Sequence, residues 1–517
     1  MKIISFKPGH DGHISYLKDS TLAFSYEAEK DSGLRYSPVT AELFIETLSC
    51  INEKPDVIAL SGWSVGVDPR GRNIGAGYLG LEYPKPNIIS FLGTDLYYFT
   101  SSHERSHLLG AYGMSPFQQG QPCYALLWEG HIGSFYYIDK DIIITKLANV
   151  LLDPGIRYAF AYGLADPKFN FAKGKIRLGD AGKMMALAAY SDRNIKSIED
   201  EILIDELLKP ESAIDSLYKD NFKNSPYYNV GVESVAFKQF AGHFSDKIFE
   251  FFYNSIKPFV REHIPLLISG GCGLNCDWNS KWLNCGIFSD VFVPPCTNDV
   301  GSAIGTAIDA QYHFTKIAKI HWDVYSGQEF IDDLDGVDGF IIRKLNFNEV
   351  ACRLFEGKII AWAKGKAEIG PRALGNRSIL AAPFLKETLK RLNLIKKRES
   401  FRPIAPICLE EDFKLYFNLN KPSPYMLFFS MVLDGRLQAI THVDGSSRPQ
   451  TVNKLQNKDI HELLSSFKEV SGYGVLCNTS LNFNGTGFIN RTSDVYKYAK
   501  ENDLDGFVVN DRFYMKK

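Results

Sequence analysis

Residues 364–382 read Lys364-Gly365-Lys366-Ala367-Glu368-Ile369-Gly370-Pro371-Arg372-Ala373-Leu374-Gly375-Asn376-Arg377-Ser378-Ile379-Leu380-Ala381-Ala382, and Lys396-Lys397-Arg398-Glu399-Ser400-Phe401-Arg402-Pro403 follows at short range. The guanidiniums sit beside glycines and a proline instead of lining one face of an amphipathic helix. Arginine grips phosphate or carboxylate in a planar, bidentate fashion, and glycine lets backbone amides approach the same anion. A solvated basic surface is the plain alternative. Ile369, Ala373, Leu374, Ile379 and Leu380 flank the charges, so the arginines are expected to project into a partly buried anion pocket, because buried charge needs partners. A fresh strand, Lys358 to Trp362, opens this part of the chain.

Working upstream, residues 316–347 mix polar and acidic side chains without a glycine motif and read as a linker. At 517 residues two large domains are expected, 1–345 and 346–517. The first opens with strands Ile3 to Phe6, Ile14 to Leu17 and Thr21 to Tyr26, a meander whose first turn is Pro8-Gly9-His10-Asp11-Gly12-His13. Pro55 to Trp63 is a short apolar run ending in Ser-Gly, as a buried α/β strand would. A second meander follows at Cys123 to Glu129, Gly133 to Ile138 and Asp141 to Leu147. Leu266 to Gly271 is another buried strand, and Val291 to Val293 leads to a small-residue helix from Asp299 to Ala307. The repeated layout suggests duplicated lobes around a nucleotide-sized cleft. Further strands are expected at Tyr425 to Val432, Ala439 to Val443 and Gly474 to Cys477.

Apolar residues make up 45% of the chain and charged ones 23%, an ordinary globular composition. A net charge of −2 without a basic stripe argues against nucleic acid as a partner. The N-terminus is too short an apolar run for a signal peptide, and no run of about 18 apolar residues predicts a membrane span. The nine cysteines are unpatterned; Cys272, Cys276, Cys285 and Cys296 lack the spacing of a zinc ribbon. They read as free thiols in a reducing cytoplasm.

His103-Glu104-Arg105-Ser106-His107 places two imidazoles at i and i+4 on one helical face, a spacing that lets them share a metal, with Ser101 or Ser102 as N-cap. Asp299, in a tight turn, is the best candidate for a completing carboxylate. The His10-Asp11-Gly12-His13 turn offers catalysis or phosphate contact, with ordinary turn chemistry as the alternative. Ser269-Gly270-Gly271-Cys272-Gly273-Leu274-Asn275 is a strand followed by a glycine nest that matches neither a P-loop nor a dinucleotide fingerprint. Its amides suit a nucleotide. Asp444-Gly445-Ser446-Ser447-Arg448 and Cys477-Asn478-Thr479-Ser480-Leu481-Asn482 add polar turns after strands.

Taken in order, these motifs, with Gly182-Lys183-Met184-Met185-Ala186-Leu187-Ala188 and Gly370-Pro371-Arg372-Ala373-Leu374-Gly375-Asn376-Arg377-Ser378, resemble the O-carbamoyltransferases of the tobramycin, nodulation-factor and cephem type over nearly the whole chain. Phe6-Lys7-Pro8-Gly9-His10-Asp11-Gly12 looks nearest to the cephem branch. The resemblance implies an α/β protein with an N-terminal duplicated actin-like ATPase (ASKHA) domain and a C-terminal YrdC-like α/β domain. It implies that the second domain makes carbamoyl adenylate and pyrophosphate from carbamoyl phosphate and ATP with Mg2+. The first would then pass the carbamoyl group to a small-molecule alcohol beside a divalent metal, Fe2+ by resemblance. By that likeness His103, His107 and Asp299 are metal ligands, and Lys396, Arg402, Arg448 and Ser480 hold carbamoyl phosphate. Arg372 or Arg377 supplies a further guanidinium, Gly12, Lys183, Gly270, Gly271 and Asn275 serve the nucleotide, and His10 or Asp11 takes the hydroxyl proton. Relatives usually carry Asp-Gly where this chain has Glu129-Gly130. A threonylcarbamoyl-adenylate route to modified tRNA and an actin-like sugar kinase are the competing readings. Net charge counts against the first; the second leaves the arginines and the histidine pair without a role. The acceptor and a homodimer are left open.

Overall fold

The computed structural model describes residues 1–63, 65–67, 73–82, 86–91, 93–170, 172–195, 197–334 and 336–517. Two sheets share one plan. The first runs Thr21–Glu27, His13–Lys18, Lys2–Lys7, Val57–Ser61, Thr94–Ser101, Asn87–Phe91. Its hairpins are antiparallel, whereas Lys2–Lys7 lies parallel to Val57–Ser61 and Val57–Ser61 parallel to Thr94–Ser101. The second runs Ile144–Asn149, Gly133–Ile138, Cys123–Trp128, Leu266–Ser269, Val291–Phe292 with the same pattern of directions. A meander followed by parallel strands, twice over, is the duplicated actin-like ATPase architecture. Parallel central strands are covered on both faces, so Cys123–Trp128 and Leu266–Ser269 are buried along their whole length.

Two helices cross between the lobes. His103–Met114 and Ser302–Thr315 pack at Gly110 and Gly305, where a Cβ on Gly110 would stand 3.3 Å from the Gly305 Cα and one on Gly305 would strike the Ser106 carbonyl. Arg105 adds a buried bidentate pair to Asp309, 2.7 and 2.8 Å. The close approach lets the N-terminal ends of both helices face one cleft.

The third sheet has eight strands, in the order Phe340–Lys344, Arg512–Lys516, Gly506–Val509, Ile360–Ala363, Arg377–Ala381, Val475–Ser480, Ala405–Leu409, Gln450–Val452. One face packs under helices Phe347–Phe355 and Lys458–Ser471 through Val350, Leu354, Leu463 and Phe467; the other buries Leu392, Ile395, Val495 and Tyr498. This is the YrdC-like domain. Phe340–Lys344, left in the first domain by a boundary at 345, is its edge strand.

Two expected strands are absent. Within Tyr425 to Val432 only Ser430–Met431 forms a strand, with Val432 in a single bridge to Phe417, and Ala439 to Val443 holds no strand. Backbone groups of the first stretch bond across the domain interface instead. Asn279 Nδ2 donates to the Leu427 carbonyl at 2.9 Å and Ser280 Oγ accepts from Phe429 N–H at 2.7 Å; in the second stretch His442 N–H bonds to the Ser446 carbonyl, and its side-chain Nε2 meets the Ala186 carbonyl at 3.0 Å. All nine cysteines are unpaired. No helix among the described residues is long and apolar enough to cross a membrane.

Candidate active site

The N-terminal cleft gathers His103, His107 and Asp299, as the sequence suggested, and adds Glu129. His103 begins its helix directly after Ser102, whose hydroxyl accepts from Arg105 N–H at 3.0 Å. His107 follows one turn on. His103 Nε2 lies 3.2 Å from Glu129 Oε2 and 3.6 Å from Asp299 Oδ1; His107 Nε2 lies 3.6 and 3.3 Å from the same two oxygens. Such spacings are loose for hydrogen bonds. They are close to the roughly 3.4 Å that separates ligands set about 2.1 Å from a shared ion, and the four ligand atoms all lie within 4.8 Å of one another. All four residues are buried. Ser269 Oγ, 3.0 Å from His107 Nδ1, fixes that ring from behind, while His103 Nδ1 is buried without a hydrogen-bond partner. Burial opposes charge on these groups. The neighbouring carboxylates nevertheless hold His103 above its ordinary pKa, and His103, His107 and Lys7 hold Asp299 well below the carboxylate range. Two imidazoles and two carboxylates form a mixed N/O donor set that fits a divalent transition metal.

Glu129 directly follows the first strand of the second sheet, just as Lys7 ends the first strand of the first sheet. Both reach the cleft: Lys7 Nζ is 3.1 Å from Asp299 Oδ2 and also binds the His10 carbonyl. The internal repeat was the signal that could have marked Glu129. Tyr78 donates its hydroxyl to Glu129 and stacks on the His103 ring, with Trp63 edge-on to both. His10 and Asp11 stand beside this cluster. Their side chains pair at 3.2 Å, and their ligand atoms and Asp299's all lie within 4.8 Å of one another. The bond to Asp11 raises the His10 pKa against burial. His13 is different: burial pushes it down to about 3, and its Nε2 accepts from Ala303 N–H, so it is a neutral structural residue.

The second cluster is cationic. Arg372, Lys396, Arg398, Arg402 and Arg448 converge with Arg35, which comes from the first domain. Burial, then mutual repulsion, brings Arg372 and Arg398 down to about 9 and depresses Lys396 and Arg402. Lys396 Nζ binds only neutral oxygens, the Ser480 carbonyl at 2.7 Å and Asn482 at 2.7 and 3.0 Å. Ser480 Oγ itself donates to Asn482 Oδ1. The Nε atoms of Arg372 and Arg448 are buried without partners. A carboxylate at the edge, Glu399, is shared by Lys183 at 2.9 Å and Arg402 at 3.9 Å. So many guanidiniums with so little negative charge is a site built for an anion. Arg35 and Arg398 were not chosen from the sequence.

Arg377 stands apart from that pocket. Each of its nitrogens is already taken, by Asn490 Oδ1 at 2.6 and 3.1 Å and by the carbonyls of Lys364, Gly365 and Asn376. Its strand register turns it into the fold. Arg377→Ala is expected to cost about 3–5 kcal/mol by stranding those acceptors, measured by urea denaturation. Of the nucleotide candidates, Gly12 N–H is committed to the Ser37 carbonyl and Gly270 N–H to the Thr297 carbonyl. Gly271 faces open space, and Asn275 caps helix Cys276–Asn284 while keeping a free, buried Nδ2. Lys183 lies at the arginine cluster, not at the glycine nest.

The family model of the carbamoyltransferase N-terminus matches residues 94–256 and 253–308, and that of the carbamoyltransferase C-terminus matches 351–516. The chain belongs to the carbamoyltransferase family and is an enzyme of that class. It is 46% identical over 518 residues to a 3'-hydroxymethylcephem-O-carbamoyltransferase of Amycolatopsis lactamdurans, covering 100% of this chain and 99% of that one. The corresponding Streptomyces clavuligerus protein is 45% identical over 523 residues, with the same coverage. Nodulation protein U of Rhizobium fredii is 32% identical over 532 residues, covering 94% of this chain and 90% of that one.

Proposed function

We propose that the protein is an ATP-dependent O-carbamoyltransferase with two sites, acting on a hydroxyl of a small natural-product acceptor of the cephem kind. The observation that carries the reading is the cluster of buried guanidiniums around Lys396, which lacks only an anion. Carbamoyl phosphate supplies one. Atom balance sets the first half: water releases its phosphate, and an oxygen of the resulting carbamate displaces pyrophosphate from the α-phosphorus of ATP. Arg372, Arg402 and Arg448 hold charge on the phosphates, Lys396 anchors the carbamoyl end, and Mg2+ accompanies ATP. Asn275 Nδ2 keeps a free donor for the nucleotide, beside the open space at Gly271.

In the second half the acceptor oxygen attacks the carbamoyl carbonyl and AMP leaves. His103, His107, Glu129 and Asp299 would hold a divalent ion, Fe2+ by family likeness, which when bound polarises the carbonyl. His10, oriented by Asp11, takes the hydroxyl proton. Since Asp11 raises the His10 pKa, the ring stays protonated to a higher pH than a free imidazole, which titrates near about 6.5. Transfer is therefore expected to fall as pH drops through a value above that, and His10→Ala to lose this limb of the pH–rate profile. Incubating the protein with ATP and carbamoyl phosphate tests the whole reading. Carbamoyl-phosphate-dependent pyrophosphate release is expected, and its absence would overturn it.

A further inference from the structure

One turn separates the two clusters, and a buried ion pair from the first domain clamps it. Gly370 N–H donates to Glu27 Oε1 at 2.6 Å, while Lys30 Nζ donates to the Gly370 carbonyl at 2.7 Å. Lys30 and Glu27 Oε2 are themselves 3.3 Å apart, and both side chains are 1% exposed. Glu27 and Lys30 thus hold both polar backbone groups of a single residue. Lys30 Nζ also lies 3.7 Å above the Phe488 ring, so the clamp reaches a second loop of the C-terminal domain.

What the clamp holds matters. Gly370 has φ +84, and a Cβ there would strike the Pro295 carbonyl. Pro295 lies four residues before the metal-cluster Asp299. Two residues after Gly370, Arg372 extends Nη2 to the Leu274 carbonyl at 3.0 Å, in the glycine nest of the first domain. The turn is thus pressed against the metal-side loop at one end and carries an anion-site guanidinium at the other. Burying an ion pair is costly, and hydrophobic residues could pack a mere interface as well. A charged pair that fixes one glycine from both sides instead specifies position.

We propose that Glu27 and Lys30 are positioning residues that hold the Gly370–Arg372 turn closed between the two sites, so that carbamoyl adenylate passes to the acceptor without meeting water. This rests on the two-site reading above. When the clamp is released, water attacks the carbamoyl carbonyl, AMP leaves, and the carbamate breaks down to carbon dioxide and ammonia.

The test is the ratio of pyrophosphate released to carbamoylated product, with a 3'-hydroxymethylcephem as the probe acceptor. The double variant Glu27→Gln/Lys30→Met leaves no unpaired buried charge, and Gln can still accept from Gly370 N–H. Its ratio is expected to rise about fivefold or more over the parent, with pyrophosphate release within about threefold, because misplacement exposes the intermediate without dismantling the anion site. Lys30→Arg, which keeps the charge and a donor, should hold the ratio much nearer the parent's than Lys30→Met alone does. An unchanged ratio, whether or not both rates fall together, marks a merely structural pair and overturns the proposal. If the double variant does not fold, Glu27→Asp, which withdraws the carboxylate by one methylene, takes its place under the same criterion. Failure of the parent enzyme to release pyrophosphate at all would sink the two-site reading instead, and is seen before any variant is made.

Discussion

Arg402→Ala is expected to lower carbamoyl-phosphate-dependent pyrophosphate release by about 10²-fold or more, the usual worth of a charge contact in the transition state. Arg402 lies among Arg398, Arg448 and Arg35, and its nearby carboxylate, Glu399, is 3.9 Å away and shared with Lys183. Its guanidinium is therefore available to a ligand in a way that Arg377 is not. Truncation also relieves repulsion among the remaining cations, so the free protein should lose little stability, and the loss should show in turnover. Arg402→Lys should recover only part of the rate, because a point charge does not reproduce a planar fork. Near-parental turnover in Arg402→Ala would remove this residue from the anion site.

Asp299→Asn should abolish transfer to the alcohol while leaving adenylate formation intact. The substitution keeps the shape of the side chain but removes the charge that faces His103, His107 and Lys7. Metal affinity should fall by more than the roughly 10- to 100-fold that losing an outer-shell partner costs, and metal content after identical purification should fall with it. Acceptor carbamoylation should fall by about 10²-fold or more. Pyrophosphate release should persist, because Arg372, Lys396, Arg398, Arg402 and Arg448 all belong to the C-terminal domain, to which the first domain adds Arg35 and, at the edge, Lys183. If a folded Asp299→Asn protein forms no adenylate, the two halves make one composite site and the two-site mechanism fails. His107→Ala gives the companion result, and full metal retention there would remove it as a ligand.

The repeated meanders were legible because hairpins write themselves locally: alternation and turn residues place Gly133–Ile138 without reference to the rest of the chain. The apolar run Tyr425 to Val432 has the same local look, yet its backbone bonds to side chains of helix Cys276–Asn284, about 150 residues earlier. No periodicity records that. That His103 and His107 would meet was legible because one helix carries both. Glu129 was marked only as a departure from its relatives and not placed with the histidines, because its position beside them depends on strand ends converging across the duplicated fold. Arg372 and Arg377 show the same limit at close range. Five residues apart in one motif, one lies in a turn facing other cations and the other enters a strand and is consumed by carbonyls. Arg35 lies in the other domain, and only the folded chain brings it to the cluster.

The helix that carries His103 and His107 and the helix that begins just beyond Asp299 touch backbone to backbone at Gly110 and Gly305 and are locked by Arg105 and Asp309. Side chains at a helix crossing can repack when a ligand arrives; main chain in direct contact has nowhere to go. The spacing between the histidine pair and Asp299 is consequently a property of the scaffold, set before any ion enters. Such preorganisation spares the site the cost of rearranging on loading, and it makes the protein choosy, since an ion demanding a different number or distance of ligands cannot pull the walls to suit itself. Stripping the ion with a chelator should leave the secondary structure unchanged while lowering the melting temperature by an amount set by the ion's binding free energy.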